Sequence, residues 1–174
     1  MASKTRNPLV RQLDQAEGYL MLDLPDRALD ILQARSEWGG VQFEASYLTG
    51  EALRVLGRYR EALKPLETAA TLRPDDLGVA ISLGWCYKRT HRLAQAIDAL
   101  MRAGREHPEE PLLHYNLACY WALAANPTRA IEALTTALDL NPDLCARIAD
   151  EPDFQTLQEH EEFTRLISGK TPSA

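Results

Sequence analysis

A spacing of 34 residues organises most of this chain. Ala28, Ala62, Ala96 and Ala130 stand at that interval, and Leu32, Leu66, Leu100 and Leu134 repeat it four residues further on. Neither column is interrupted by an insertion. A unit this short cannot bury its own apolar face, so the sequence is confined to architectures in which neighbouring units stack and share a core.

Further columns say what each unit is made of. Ala16, Gly50, Gly84 and Ala118 are all small, while Tyr19, Leu53, Tyr87 and Trp121 are all bulky and apolar. Leu83, Gly84 and Tyr87 recur at steps of three and four, the period of one helix face. A small residue on that face lets a second helix approach closely, and the alanine column offers the same from the other side, so small is expected to meet small. Asn126-Pro127 and Asn141-Pro142 read as a helix cap followed by proline at the first helical position, where its missing N–H costs nothing. Pro25-Asp26 reads the same way. Pro65 falls inside a helix and predicts a bend there. Pro74, Pro108 and Pro142 close successive units, with Gly40 in that place in the first. The units are residues 9–42, 43–76, 77–110 and 111–144.

A small residue, a bulky one three later, then Ala, then Leu, then Pro is a pattern that resembles the tetratricopeptide repeat. The stretch from Leu56 and Gly57 through Tyr59 to Ala62 and Leu63 is similar to the central turn of that family. The resemblance covers residues 9–144 and implies an all-α fold, a right-handed superhelical stack of antiparallel helix hairpins. Unit one departs from the pattern at Gln12, Gln15, Arg35 and Gly40, as a terminal repeat with one face in water is expected to. Residues 1–8 read as an N-terminal arm. Past residue 144 the period stops, and Phe154, Leu157, Phe163, Leu166 and Ile167 mark 145–167 as capping helices that cover the last open seam. Residues 168–174 read as a polar tail.

Composition narrows the partners. Apolar residues at 45% and charged residues at 25% are ordinary globular values. A net charge of −6 disfavours nucleic acid and anionic lipid, which need neutralising Lys and Arg. No apolar run is long enough to span a bilayer or to serve as a secretory signal, so the expectation is a cytoplasmic protein without membrane insertion. Cys86, Cys119 and Cys145 have no paired spacing, which speaks against a disulfide framework or a zinc site.

The resemblance also implies where a ligand would lie. The first helices of such a stack line its concave side, and positions two, five, nine and twelve of each unit form one stripe there. From that stripe the candidate partner-binding residues are Leu13 and Glu17, then Tyr47, Glu51 and Arg54, then Ile81, Trp85 and Lys88 with Arg89 beside it, then Tyr115 and Cys119. Tyr47, Trp85 and Tyr115 have the character of interface anchors. Glu17, Glu44 and Glu51 precede Arg54, Lys88 and Arg89, an order of charge that could orient a ligand, unless Glu51 pairs within the groove with Arg54 or Lys88. The family's carboxylate clamp does not fit, because its Lys and Asn places hold Leu13, Glu17, Leu48 and Glu51.

Nothing in the sequence points to catalysis. His91, His107, His114 and His160 are scattered, with no carboxylate or cysteine at metal-ligand spacing. His114 lies in the seam column and reads as a packed core histidine. Cys119 has no base near it in sequence and reads as a small apolar liner. The expectation is therefore a non-enzymatic adaptor or scaffold that binds a protein or peptide, with no metal or cofactor. A homo-oligomer built by self-assembly is the alternative. A further one is a client binder similar to the bacterial type III secretion chaperones, whose size and acidity it shares and whose cap it lacks.

Overall fold

The computed structural model describes residues 7–170, with side chains as far as Ser168. Most of the arm read at 1–8, and the tail beyond residue 170, lie outside the described residues. Among the described residues there are ten α-helices and no strand. They are α1 (Pro8–Met21), α2 (Pro25–Leu32), α3 (Gln42–Val55), α4 (Tyr59–Leu72), α5 (Leu77–Arg89), α6 (Leu93–Glu106), α7 (Pro111–Leu123), α8 (Pro127–Leu140), α9 (Cys145–Ile148) and α10 (Glu161–Lys170). Short 3₁₀ turns stand at Gly39–Val41, Pro142–Leu144 and Pro152–Leu157.

Local chemistry sets the helix ends. Asn7, Asp76, Glu110 and Asn126 each accept a hydrogen bond from a backbone N–H of the turn they open, satisfying donors that the helix cannot. Prolines occupy the first helical positions of α1, α2, α7 and α8. Between the first and second helix of each repeat the chain turns through one residue in the left-handed region. Asp23, Gly57, His91 and Ala125 hold φ of 57°, 73°, 62° and 54°. In three of these turns the next N–H reaches back five residues, Leu24 to Tyr19, Arg58 to Leu53 and Asn126 to Trp121, each at 2.9 Å. This is the Schellman closure, which satisfies the last helical carbonyls. The second helices α2, α4, α6 and α8 thus begin at the same 34-residue interval as the alanine column.

The chain divides into two compact units, one ending at Thr90 and the other starting at His91. In the N-terminal unit α1 pairs with α2 and α3 with α4, α5 lies against α3 and α4, and α1 also lies against α3. The first helices α1, α3 and α5 are therefore successive neighbours. In the C-terminal unit α7 pairs with α8, α6 lies against α7, and α10 reaches α8. The Pro152–Leu157 turn packs on α7.

Every member of the alanine column is fully buried, and no member of the leucine column is more than 3% exposed. The detail of the seam differs from the sequence expectation. A Cβ on Gly50 would stand 2.4 Å from Leu66 Cγ, so the glycine makes room for a buried leucine rather than for another small residue. Helix α2 is eight residues long where α4 has fourteen. The chain beyond it turns through Trp38, which is buried under the Arg35 guanidinium, 5.2 Å above its ring. Helix α4 runs unbroken through Pro65. Helix α10 continues to Lys170, into the segment read as a polar tail. His114 is half-buried rather than packed in the core, and its ring nitrogen lies 2.7 Å from the Pro108 carbonyl oxygen.

Candidate partner-binding groove

In the N-terminal unit, α1 and α3 enclose a cavity of about 300 Å³. Val10, Leu13, Val41, Phe43, Tyr47 and Leu48 supply its apolar walls, and Asp14, Glu17 and Glu44 its polar ones. Leu13 is 6% exposed and forms floor rather than contact surface, whereas Glu17 is exposed. Phe43 and Tyr47 stack with ring centroids 6.3 Å apart. The Arg73 guanidinium sits 3.8 Å above the Phe43 ring and bonds Glu44 at 2.6 Å, which fixes the outer wall.

Tyr47 reaches from α3 toward α5. Its hydroxyl would be 2.9 Å from a Cβ at Gly78, so the glycine admits it, and Ser82 stands beside it. Burial, together with the nearby Glu51 carboxylate, holds the phenol above its usual pKa. Glu51 takes a two-pronged bond from Arg54 at 2.9 and 2.8 Å, and the Ser82 hydroxyl donates to the same carboxylate at 2.6 Å. The carboxylate correspondingly raises the pKa of Arg54. The order of charge drawn from sequence is thus altered: Glu51 and Arg54 neutralise one another.

Farther along α5, Ile81 is half-buried. Trp85 is 39% exposed, with the Lys88 ammonium 5.7 Å from its ring. Arg89 leaves the stripe, its guanidinium lying 5.2 Å above Tyr59 at the start of α4. Leu13, Glu17 and Tyr47 therefore share one cavity, Glu51 and Arg54 form an ion pair beside it, and Arg89 belongs elsewhere. A larger cavity, about 420 Å³, opens on another face of α3, between Trp38, Ser46 and Pro65, where the short α2 leaves space beside α4.

In the C-terminal unit the expected stripe is closed. Tyr115 and Cys119 are each 3% exposed and cannot serve as groove anchors. Phe154 of the 152–157 turn meets Tyr115 edge to face at 5.6 Å, and the Arg147 guanidinium lies 5.3 Å over the same ring. Phe163 of α10 backs Phe154 at 5.9 Å. Burial and surrounding negative charge push the Tyr115 phenol far above its usual range.

A family model described as a tetratricopeptide repeat matches residues 56–118. The chain has the tetratricopeptide-repeat fold. Solved structures agree on the fold. MamA from Desulfovibrio magneticus RS-1 is 22% identical, over 97% of this chain and 99% of that one, with a TM-score of 0.71. YrrB, described as a TPR protein with an unusual peptide-binding site, is 22% identical over 78% of this chain and 70% of its own, with a TM-score of 0.70. TTC0263, a thermophilic TPR protein of Thermus thermophilus, is 21% identical over 93% and 89%, with a TM-score of 0.69. No curated protein matches the sequence significantly.

The resemblance drawn from the alanine and leucine columns is borne out, and with it the all-α stack of tetratricopeptide-repeat hairpins. Among the described residues no helix is long and apolar enough to cross a membrane. Sequence reasoning missed Phe43, Asp14 and Ser82, because it counted one stripe per helix. The repeats pack so that the neighbouring column also faces the groove. The step from Tyr47 to Phe43, one helical turn, was the available signal.

Proposed function

We propose that this tetratricopeptide-repeat protein is a binding adaptor that holds a segment of a partner protein along α1, α3 and α5 of its N-terminal unit. The observation that carries this is the cavity between α1 and α3, with its aromatic wall of Phe43 and Tyr47 and its acidic edge of Asp14, Glu17 and Glu44. An apolar pocket with an electronegative edge suits a segment that places an apolar side chain beside Lys or Arg. Trp85 and Lys88 extend the surface along α5. YrrB, a relative in fold, is itself described as peptide-binding, which supports a peptide as the ligand. In this reading residues 9–144 act as four repeats, the protein binds rather than catalyses, and it works in the cytoplasm, in keeping with three cysteines outside any disulfide.

The test is selection from a peptide library on the purified chain, followed by binding measurements on the enriched sequences. Enriched peptides should carry a basic residue next to an apolar one. Glu17→Lys should weaken them at least tenfold while leaving helicity intact. Peptides of no common chemistry, or binding indifferent to Glu17→Lys and to Tyr47→Ala, would sink the proposal.

A second reading, self-assembly, is favoured by the tip of the first hairpin. Met21, Leu22 and Leu24 stand 79%, 70% and 45% exposed side by side, a patch that water does not favour. Light scattering of the wild type and of Leu22→Ser decides it. A mass that stays monomeric at all concentrations would exclude it.

A further inference from the structure

In the C-terminal unit the chain after α9 returns to α7 and brings two carboxylates to a thiol. Cys119, Glu151 and Asp153 each present one ligand atom, and the sulfur and the two oxygens all lie within 4.8 Å of one another. Cys119 and Asp153 are buried and Glu151 is half-buried. A different feature faces the same place. Tyr115 lies one helical turn before Cys119 on the same face of α7 and is only 3% exposed. Its hydroxyl has no hydrogen-bond partner among the described residues. The ionisable groups near enough to act on that hydroxyl are Cys119, Glu151, Asp153 and Arg147. A buried hydroxyl left without a partner is uncommon and marks a place where an ion or water completes the structure.

We propose that Cys119, Glu151 and Asp153, with the Tyr115 hydroxyl at their edge, form a site for a divalent ion of the zinc type that fastens the C-terminal segment to α7. A thiolate in the donor set selects zinc or cobalt over magnesium and calcium. Bonds of about 2.3 Å to sulfur and 2.0–2.2 Å to carboxylate oxygen put tetrahedral ligands roughly 3.3–3.7 Å apart. The side chains need to close by about 1.5 Å at most from the separations present, a shift within rotamer adjustment. As the metal–sulfur bond forms, the thiol proton leaves to solvent. One thiolate and two carboxylates then face a doubly charged ion, and the Arg147 guanidinium, stacked over Tyr115, balances the remaining negative charge. One oxygen of Glu151 also accepts the Asp153 N–H at 3.4 Å, which holds the two carboxylates in register. Sequence spacing could not suggest this site, since the thiol stands far along the chain from the two carboxylates.

The full chain, stripped with a chelator, is titrated with Co²⁺ and followed by the thiolate-to-cobalt charge-transfer absorption in the near ultraviolet. One equivalent should bind. The band should vanish in Cys119→Ser and persist in Cys145→Ser. Asp153→Asn, which keeps the thiol and the shape of the side chain, should weaken binding at least tenfold. Zn²⁺ should displace the cobalt and raise Tm by several degrees. The absence of a thiolate band together with an unchanged Tm overturns the proposal. So does a band that survives in Cys119→Ser, or cobalt affinity equal to wild type in Asp153→Asn.

Discussion

Replacing Ala125 by glycine should stabilise this protein. Ala125 closes the α7–α8 turn at φ 54°, where the Cβ of an L-residue crowds the following carbonyl at a cost of about 1–2 kcal/mol. Glycine removes that strain but adds freedom to the unfolded chain, which takes back about 0.4–1 kcal/mol. The net gain is about 0.5–1 kcal/mol, or roughly 1–4 °C in Tm for a chain of this size. The same turn between α3 and α4 provides the reverse experiment. Gly57 holds φ 73°, and a Cβ there would meet nothing nearer than the Tyr59 hydroxyl at 3.9 Å. Gly57→Ala thus reports backbone strain without a clash and should lose about as much as Ala125→Gly gains.

Urea denaturation followed by far-ultraviolet circular dichroism measures both. The midpoints should move in opposite directions at constant m-value. The two positions lie in different compact units, so if the units unfold separately each change should track its own transition. Asp23→Gly should gain less than Ala125→Gly, because Asp tolerates the left-handed region better. Destabilisation by Ala125→Gly, or indifference to Gly57→Ala, would refute the assignment of strain to these turns.

Gly50→Ala should cost about 1–3 kcal/mol by overpacking against Leu66, and a smaller side chain at Leu66 should partly relieve it, as a double-mutant denaturation series would show. Phe154→Ala removes the side chain wedged between Tyr115 and Phe163 and should cost about 3–5 kcal/mol, read as loss of the transition of the C-terminal unit with the N-terminal one intact. Burial pushes the Cys86 thiol from an ordinary 9.0 up to about 11, so the folded state favours the protonated form. Its contribution to stability is complete below pH 9.0 and lost as pH rises toward about 11. Urea midpoints should fall across that window and fall less in Cys86→Ala; an identical slope would count against it. Of the three thiols, half-exposed Cys145 should react first with a disulfide reagent, well ahead of buried Cys86 and Cys119.

The fold was legible because each repeat solves one packing problem again. Ala62 recurs as Ala96 and Ala130 since each must vanish between two helices, and a requirement repeated at a fixed interval shows in one sequence without comparison to others. Departures at Arg35 and Gly40 were legible for the same reason: they fall where α2 has already ended. The meeting of Gly50 with Leu66 was not, because which side chain fills the space beside a glycine depends on the rotation of α4 by a fraction of a turn. Periodicity does not resolve that.

The candidate site divides along the same line. Tyr47 was found because its place in the groove follows from helix geometry alone. Tyr115 occupies the corresponding place on α7 and was assigned the same role, yet it is buried by Phe154, a residue beyond the last repeat. Aperiodic sequence leaves no register from which to predict where its side chains land. The face a repeat offers is therefore readable from the repeat, while whether that face stays open is decided by whatever follows it. Here the C-terminal segment closes α7 and leaves α1, α3 and α5 as the first helices on which a partner can be sought. It follows that shortening the chain before Phe154 should add a binding surface on α7 only if the C-terminal unit survives without its cap. The burial of Leu144, Ile148, Phe154, Leu157 and Phe163 argues that it does not.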